Sequence, residues 1–465
     1  MTRPRSFRLC GWMCASALFF CFGVVLAACA QFETRATIGV AGQSSGLVLG
    51  DFNHDGKLDA AVTAGNSLSI FLGNGDGTFR ASINYPGVYY SIAVADFNND
   101  GNLDLVVAPY SNNIDVFLGK GDGTFQGPLS SLTTGPLGSL VVGDFNGDHR
   151  MDIAGVGNSY ISVLLGNGDG TFQSSIDNSS FFAPGQLAVG DFNNDHKLDV
   201  AVVGSFGGSS NFGVLFGNGN GTLQGSFTYP LPTTPGSVAA ADFRHDGKLD
   251  LAIGGYISGG AFVFLGNGDG TFQTGASYAG SGPILVQDFN GDGHLDIVAG
   301  VTLLLGDGDG AFREFPSAYG PQSGAVSDGL EAAGDLNGDA LPDLVFLDSQ
   351  HDKFTTMLNT GVISFYPTTA ISFPAQLIGT VSRPKTVRLS NTGPVAIAVK
   401  LVKISGSFKE ANTCGRSLKA GATCEFKVVF APTKSGLQSG GIAITDGASS
   451  KPQYIELKGV GKPGS

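Results

Sequence analysis

Asp51-Phe52-Asn53-His54-Asp55-Gly56-Lys57-Leu58-Asp59 sets side-chain oxygens at its first, third, fifth and ninth positions. Variants of this stretch begin again at Asp96, Asp144, Asp191, Asp242, Asp288 and Asp335, 45 to 51 residues apart. Such a period marks one supersecondary unit repeated along the chain rather than acidic loops scattered at random. A ring of seven metal loops is the reading that follows.

The donor pattern suits a hard cation. Side-chain oxygens at positions 1, 3, 5 and 9, with a backbone carbonyl offered at position 7, match calcium at about 2.3–2.6 Å far better than zinc or copper. The loop is not an EF-hand, because position 12 is Val62 instead of a bidentate Glu and strand-like runs such as Ile92-Ala-Val-Ala and Leu105-Val-Val-Ala flank it in place of helices. Phe at position 2 and Leu at position 8 anchor it in apolar surroundings, so the metal is expected to staple a β-hairpin.

Three copies are complete, with Asn at position 3 and Gly at position 6: Asp51, Asn53, Asp55, Asp59; Asp96, Asn98, Asp100, Asp104; and Asp288, Asn290, Asp292, Asp296. Lys57, Asn102 and His294 stand at their seventh position, where only the carbonyl matters. Two copies, Asp144, Asn146, Asp148, Arg150, Asp152 and Asp191, Asn193, Asp195, Lys197, Asp199, put His149 and His196 at position 6, a residue type that tolerates positive φ better than most. The copy Asp335, Asn337, Asp339, Leu341, Asp343 has Ala340 and Pro342, which predicts a strained turn of lower affinity. In the copy Asp242, Asp246, Asp250 the third position is Arg244. A guanidinium only donates, so that site is expected to be weak or empty.

A second repeated element follows each of the first six loops, as in Phe71-Leu-Gly-Asn-Gly-Asp-Gly-Thr-Phe79. No helix pattern and no Gly-Lys-Ser/Thr ending accompany it, so it reads as a tight turn between strands instead of a phosphate loop. Each unit is then strand, acidic loop, strand, loop, strand, Gly-rich turn, strand, which is one propeller blade. Phe32 precedes Asp51 by the 19 residues that separate Phe125 from Asp144, and the seventh unit lacks its Gly-rich turn near Met357. The N-terminal strand is therefore expected to complete the last blade, closing the ring and removing its exposed edges.

Residues 32 to about 360 resemble the FG-GAP (VCBS) repeats of bacterial surface proteins and of the integrin α-subunit propeller, through the seven Asp loops and the Phe-Leu-Gly-Asn-Gly-Asp-Gly-Thr-Phe turns. That resemblance implies calcium and an adhesive, lectin or scaffolding role. Beyond it the Asp loops stop and alternating runs such as Cys424-Glu-Phe-Lys-Val-Val-Phe430 read as sandwich strands. Leu389-Ser-Asn-Thr-Gly393, Ala420-Gly-Ala-Thr-Cys424 and Val429-Phe-Ala-Pro432 resemble the immunoglobulin-like ASH (Hydin-type) domains. The expected fold is all-β, a seven-bladed β-propeller followed by an immunoglobulin-like β-sandwich. Its expected domains are a signal at 1–28, the propeller at 29–360 and the sandwich at 361–465.

Arg3, Arg5 and Arg8 followed by an apolar stretch through Leu26 read as a secretory signal. Leu26-Ala-Ala-Cys29 resembles a bacterial lipobox, implying a lipid on Cys29, whereas Ala28-Cys-Ala30 equally satisfies ordinary signal cleavage. An outer-membrane lipoprotein is favoured over a secreted form. Either way the protein is extracytoplasmic, with the membrane reached only through that lipid. In the body of the protein only Cys414 and Cys424 remain, and a disulfide is expected in an oxidising compartment.

The whole chain carries −13, and removing residues 1–28 leaves 23 basic against 39 acidic residues. The seven loops hold 21 of those acids, a concentration that bound calcium would offset. Nucleic acid is an unsuitable partner because no basic patch is present. Five of six histidines sit inside the loops and Glu occurs only six times, without a recognisable Ser/His/Asp set or carboxylate pair. A monomeric, non-enzymatic adhesion or protein-binding scaffold is expected, with a carbohydrate-binding protein as the alternative and a polysaccharide-active enzyme behind both. Tyr85, Tyr229, Tyr278 and Tyr319 recur regularly and are expected to pack between blades. Tyr89, Tyr90, Tyr110 and Tyr256 are the ligand-contact candidates on the face opposite the loops.

Overall fold

The computed structural model describes residues 32–180, 184–206, 209–256, 259–289, 293–315, 330–339, 341–359, 363–366, 371–391, 397–419, 422–446 and 453–463. Residues 1–28 and Cys29, Asn290, Asp292, Tyr319 and Ala340 lie outside them, so the expectations attached to those positions do too.

Among the described residues, six four-stranded antiparallel sheets follow one another in chain order, opening with Ser44–Gly50, Tyr89–Ala95, Leu140–Gly143, Pro184–Gly190, Pro235–Ala241 and Ile284–Gln287. A seventh combines Leu330–Gly334, Asp343–Asp348 and Lys353–Asn359 with the N-terminal strand Phe32–Gly39. That strand pairs Phe32 with Asn359 and Gly39 with Lys353. The predicted closure is present.

The second and third strands of a blade, such as Asp59–Ala64 and Ser67–Phe71, are buried along their whole length, as strands covered on both faces must be. Among the described residues seven apolar clusters lie between neighbouring blades, and each draws on two sheets. Phe52, Leu68 and Ile70 meet Tyr89, Leu105 and Phe117 between the first two, and Leu336, Val345 and Phe354 meet Leu47, Val62 and Phe71 between the last and the first. First strands of successive blades touch in cyclic order, including Leu330–Gly334 against Ser44–Gly50. The ring is a closed seven-bladed propeller.

The Gly-rich turns owe their composition to crowding. A Cβ on Gly73 would lie 2.1 Å from the Leu58 carbonyl oxygen, and the equivalent glycines through Gly306 meet the same backbone within 2.0–2.3 Å. Only glycine lets the turn approach the loop so closely.

After Asn359 the chain builds a two-sheet sandwich. One sheet orders Ile363–Tyr366, Lys385–Asn391, Thr423–Phe430 and Phe408–Asn412; the other orders Ile371–Ser372, Gln453–Lys462, Gly436–Asp446, Ile397–Ile404 and Ser417–Leu418. Val387, Leu389, Phe426, Val428 and Phe430 from the first meet Ile442, Ile455 and Leu457 from the second in one core. Cys414 and Cys424 form the expected disulfide, with Cα atoms 5.0 Å apart. Among the described residues no helix is long and apolar enough to cross a membrane.

Candidate functional site

Each acidic loop joins the first and second strands of a blade. The residue before position 1 pairs with position 9, as in Gly50 with Asp59 and Ala95 with Asp104, so eight residues arch between two paired ones. Positions 4 and 6 both adopt positive φ: His54, Asn99, Asn194 and His245 at the former, with His149 and His196 joining the glycines at the latter. The histidines expected at position 6 therefore do supply the turn. The same need at position 4 shows in the sequence only as a recurrent His, Asn or Gly.

Inside the arch the polar groups converge. Asp55 N–H donates to Asp51 Oδ1 at 3.1 Å and to Asn53 Oδ1 at 2.8 Å, Gly56 N–H to Asp51 Oδ2 at 2.9 Å, and Lys57 N–H to Asp55 Oδ1 at 3.1 Å. The pattern returns around Asp96, Asp144, Asp191 and Asp335. One amide shared by two oxygens brings positions 1 and 3 side by side.

Position 9 does something the sequence did not disclose. Asp59, Asp104, Asp152, Asp199, Asp250, Asp296 and Asp343 are fully buried. Each accepts two backbone N–H groups at 2.7–3.1 Å, one from position 2 of its own loop and one from the residue that ends the third strand or lies two past its end. Asp59 thus ties Phe52 to Gly73, and Asp343 ties Leu336 to Asn359. Burial pushes the carboxyls of Asp104, Asp152 and Asp199 up to about 6 and that of Asp343 up to about 7. The two amides pull each down, and the carboxylates at positions 1 and 5 push it up. Burial raises Asp250 as well, but there the Arg244 side chain lowers it.

The residues fit calcium chemically. Two carboxylates and an amide oxygen gather in the arch with the ninth carboxylate buried behind them, and a cation there would offset both the burial of that carboxylate and the weaker repulsion from its neighbours. Among the described residues, however, no three His, Cys, Asp or Glu side chains already close into a metal cage. The ninth carboxylate is turned to the backbone, although each of its oxygens keeps a second lone pair. Asp250 demonstrates that capacity, since its Oδ1 accepts both Gly266 N–H and Arg244 Nη2 at 2.8 Å.

The loops also stitch the blades together. Gly77, Gly123, Gly170, Gly221 and Gly270 N–H donate to the position-2 carbonyls of Leu336, Phe52, Phe97, Phe145 and Phe192 in the preceding blade. The aromatic ring at position 2 packs edge-on against the ring ending the next blade's turn, as in Phe52 with Phe125 and Phe97 with Phe172. Phe289 finds Phe32 in that role. The seventh blade has no Gly-rich turn, and Asn359 Nδ2 donates to Phe289 O at 2.8 Å instead.

On the other face lie the links between blades and the second-to-third strand loops, joined by bonds such as Gly87 N–H to Asn66 O and Tyr256 N–H to Thr234 O. Tyr90, Tyr110 and Tyr256 are 50%, 79% and 62% exposed, and the Tyr90 and Tyr110 rings meet edge-on at 5.4 Å. Tyr89 is a correction: it is only 7% exposed, packs on Phe117, and burial pushes its phenol up to about 12. Tyr90 is the unpaired residue of an irregularity in the ladder between Tyr89 and Ser91 and stays exposed, whereas Tyr89 pairs with Pro109 and keeps to the interior. Tyr85, Tyr229 and Tyr278 pack between blades as expected, their hydroxyls accepting Phe125, Phe272 and Phe312 N–H from the next blade. Thr234, whose carbonyl accepts Tyr256 N–H, also borders an open depression of about 580 Å³ whose lining runs over Ser209–Asn211 and Pro230–Thr234.

The model of the FG-GAP-like repeat matches residues 51–107, 96–155, 144–202, 191–253, 246–299 and 288–346. The chain belongs to the FG-GAP-like repeat family. No curated protein matches it significantly. Solved structures similar to this FG-GAP protein include an Agrocybe aegerita lectin described as recognising non-reducing terminal N-acetylglucosamine, 21% identical, covering 59% of this chain and 79% of that one at a TM-score of 0.45. The V. cholerae biofilm matrix protein Bap1 is 13% identical over 91% of this chain and 76% of its own, at 0.34. An ASH/PapD-like domain of human CEP192 is 13% identical over 22% of this chain and 87% of its own, at 0.18.

Proposed function

We propose that this chain is an exported, calcium-stabilised propeller that binds a cell-surface partner through the face opposite its acidic loops and performs no chemical step. The observation that carries the calcium part is the arch itself, in which Asp51, Asn53 and Asp55 gather on shared amides while Asp59 lies buried behind them, bonded to the backbone yet within electrostatic reach of Asp51 and Asp55. These side chains and the Lys57 carbonyl would hold the ion, with equivalents in the loops at Asp96, Asp144, Asp191, Asp288 and Asp335. Calcium would supply fixed positive charge and a cross-link between the two strands of the hairpin. It is a structural ion in this reading.

Tyr90, Tyr110 and Tyr256 offer wet aromatic area for a protein partner. The open depression near Tyr256 favours a glycan as the second reading, because its uncharged lining mixes hydroxyl and amide groups with the apolar surface of Pro230, Leu231 and Pro232. The Cys414–Cys424 disulfide supports an oxidising compartment. We assign 1–28 as signal, 29–360 as propeller and 361–465 as an ASH-type domain, with Cys29 as the lipid-bearing residue.

Melting of the mature protein with calcium and with chelator, alongside a count of bound metal, tests the ion. An upward shift with three or more ions bound supports it; no shift and no metal would sink it. Binding to intact cells and to a glycan array tests the face. Glycan retention that is lost in Tyr110→Ala or Tyr256→Ala selects the carbohydrate reading, whereas array silence with retention on cell-surface protein selects adhesion.

A further inference from the structure

Position 3 is Asn in six loops and Arg244 in the fifth. A long cationic side chain on an exposed arch would ordinarily extend into water, yet the Arg244 side chain is only 16% exposed. It turns inward. Its Nη2 donates to Asp250 Oδ1 at 2.8 Å and to the Gly266 carbonyl at 2.6 Å, and its Nη1 stands 3.1 Å from Asp246 Oδ2. Nε reaches Asp250 Oδ2 at 3.5 Å. The guanidinium therefore touches the carboxylates at positions 5 and 9 and the glycine carbonyl at the start of the turn. Its stem runs against the next blade, since a Cβ on Gly310 would meet Arg244 Cγ at 3.2 Å.

We propose that the Arg244 guanidinium is a tethered cation occupying the metal position of the fifth loop, which makes that blade independent of calcium while the other loops depend on it. The inference rests on the calcium reading of the other loops for its metal count, but not for the role of the guanidinium. Two charges held by one fork are geometrically satisfied, and a metal entering the same space would have to expel it against like-charge repulsion. Removing the guanidinium leaves Asp250 buried without its partner.

The test uses the full mature chain with calcium as the probe. Calcium bound per chain is counted for wild type, Arg244→Asn and Arg244→Lys, and all three, with Arg244→Met, are melted in chelator. Arg244→Asn is expected to bind about one ion more than wild type, and Arg244→Lys, which keeps a tethered cation, no more. In chelator Arg244→Asn and Arg244→Met should melt several degrees below wild type, and calcium should restore the first but not the second. An equal ion count in Arg244→Asn and wild type, or a chelated Arg244→Met that melts like wild type, would overturn the proposal. If wild type binds no calcium the metal reading fails, and the chelated comparison with Arg244→Met still decides what the guanidinium does. Should Arg244→Asn not fold, addition of calcium during refolding decides the matter: recovery supports a new site, and no recovery with a folded, unshifted Arg244→Met refutes it.

Discussion

The ninth residue of each loop separates two roles that one letter conceals. As a carboxylate in an Asp-x-Asn-x-Asp pattern, Asp104 reads as a calcium ligand, and nothing in the pattern says that its oxygens also hold the Phe97 and Gly119 amides. That second role depends on which backbone the fold brings within 3 Å, which spacing alone does not encode. The two roles predict different behaviour without metal. A residue acting only as a ligand costs nothing when removed from chelated protein, whereas Asp104→Ala orphans two buried N–H groups and should destabilise the chelated propeller by about 2 kcal/mol or more. Asp100→Ala, at the more open fifth position, should cost much less under the same conditions. Denaturant unfolding of both variants in chelator makes the comparison; equal small losses would show that Asp104 serves metal alone.

At the level of the blade, more was legible, because strand, loop and turn each carry a repeated signature. The Phe32 spacing placed the closing strand, and the recurrence of Tyr85, Tyr229 and Tyr278 marked them as inter-blade packing. What escaped was the exception. Asn359 stands where the other blades enter a glycine turn, and a single Asn at the end of a strand carries no signal of its own. Its side chain donates to Phe289 O at 2.8 Å and to Pro342 O at 3.1 Å, supplying the stitch to the sixth blade that a turn amide supplies elsewhere. Asn359→Ala leaves these carbonyls without that donor in a buried setting and should cost about 1–3 kcal/mol. Equilibrium unfolding checks the loss. A neutral result would mean that the sixth and seventh blades are held by the Phe32–Phe289 contact without help from the amide.

For the whole ring, stability is a property of closure. Every blade lends one face to each neighbour, so the seven apolar clusters are complete only when the seventh sheet has all four strands, and Phe32 itself belongs to the cluster between blades six and seven. Deleting residues through Gly39 would bare the edge of Lys353–Asn359 along its N–H and C=O groups and remove Phe32 from Phe289 and Met357. An edge of that kind pairs with whatever strand it meets. The truncated protein should therefore melt at a lower temperature even in saturating calcium and sediment as dimers or larger species, because the lost strand cannot be replaced by metal in the loops. A synthetic peptide of residues 32–39 added in trans should return it towards the monomer by adding a strand to the open edge. Sedimentation with and without the peptide reads the result. A truncated chain that stays monomeric and keeps its melting temperature would show that six blades and the acidic loops hold the ring by themselves, and that the strand from Phe32 only trims it.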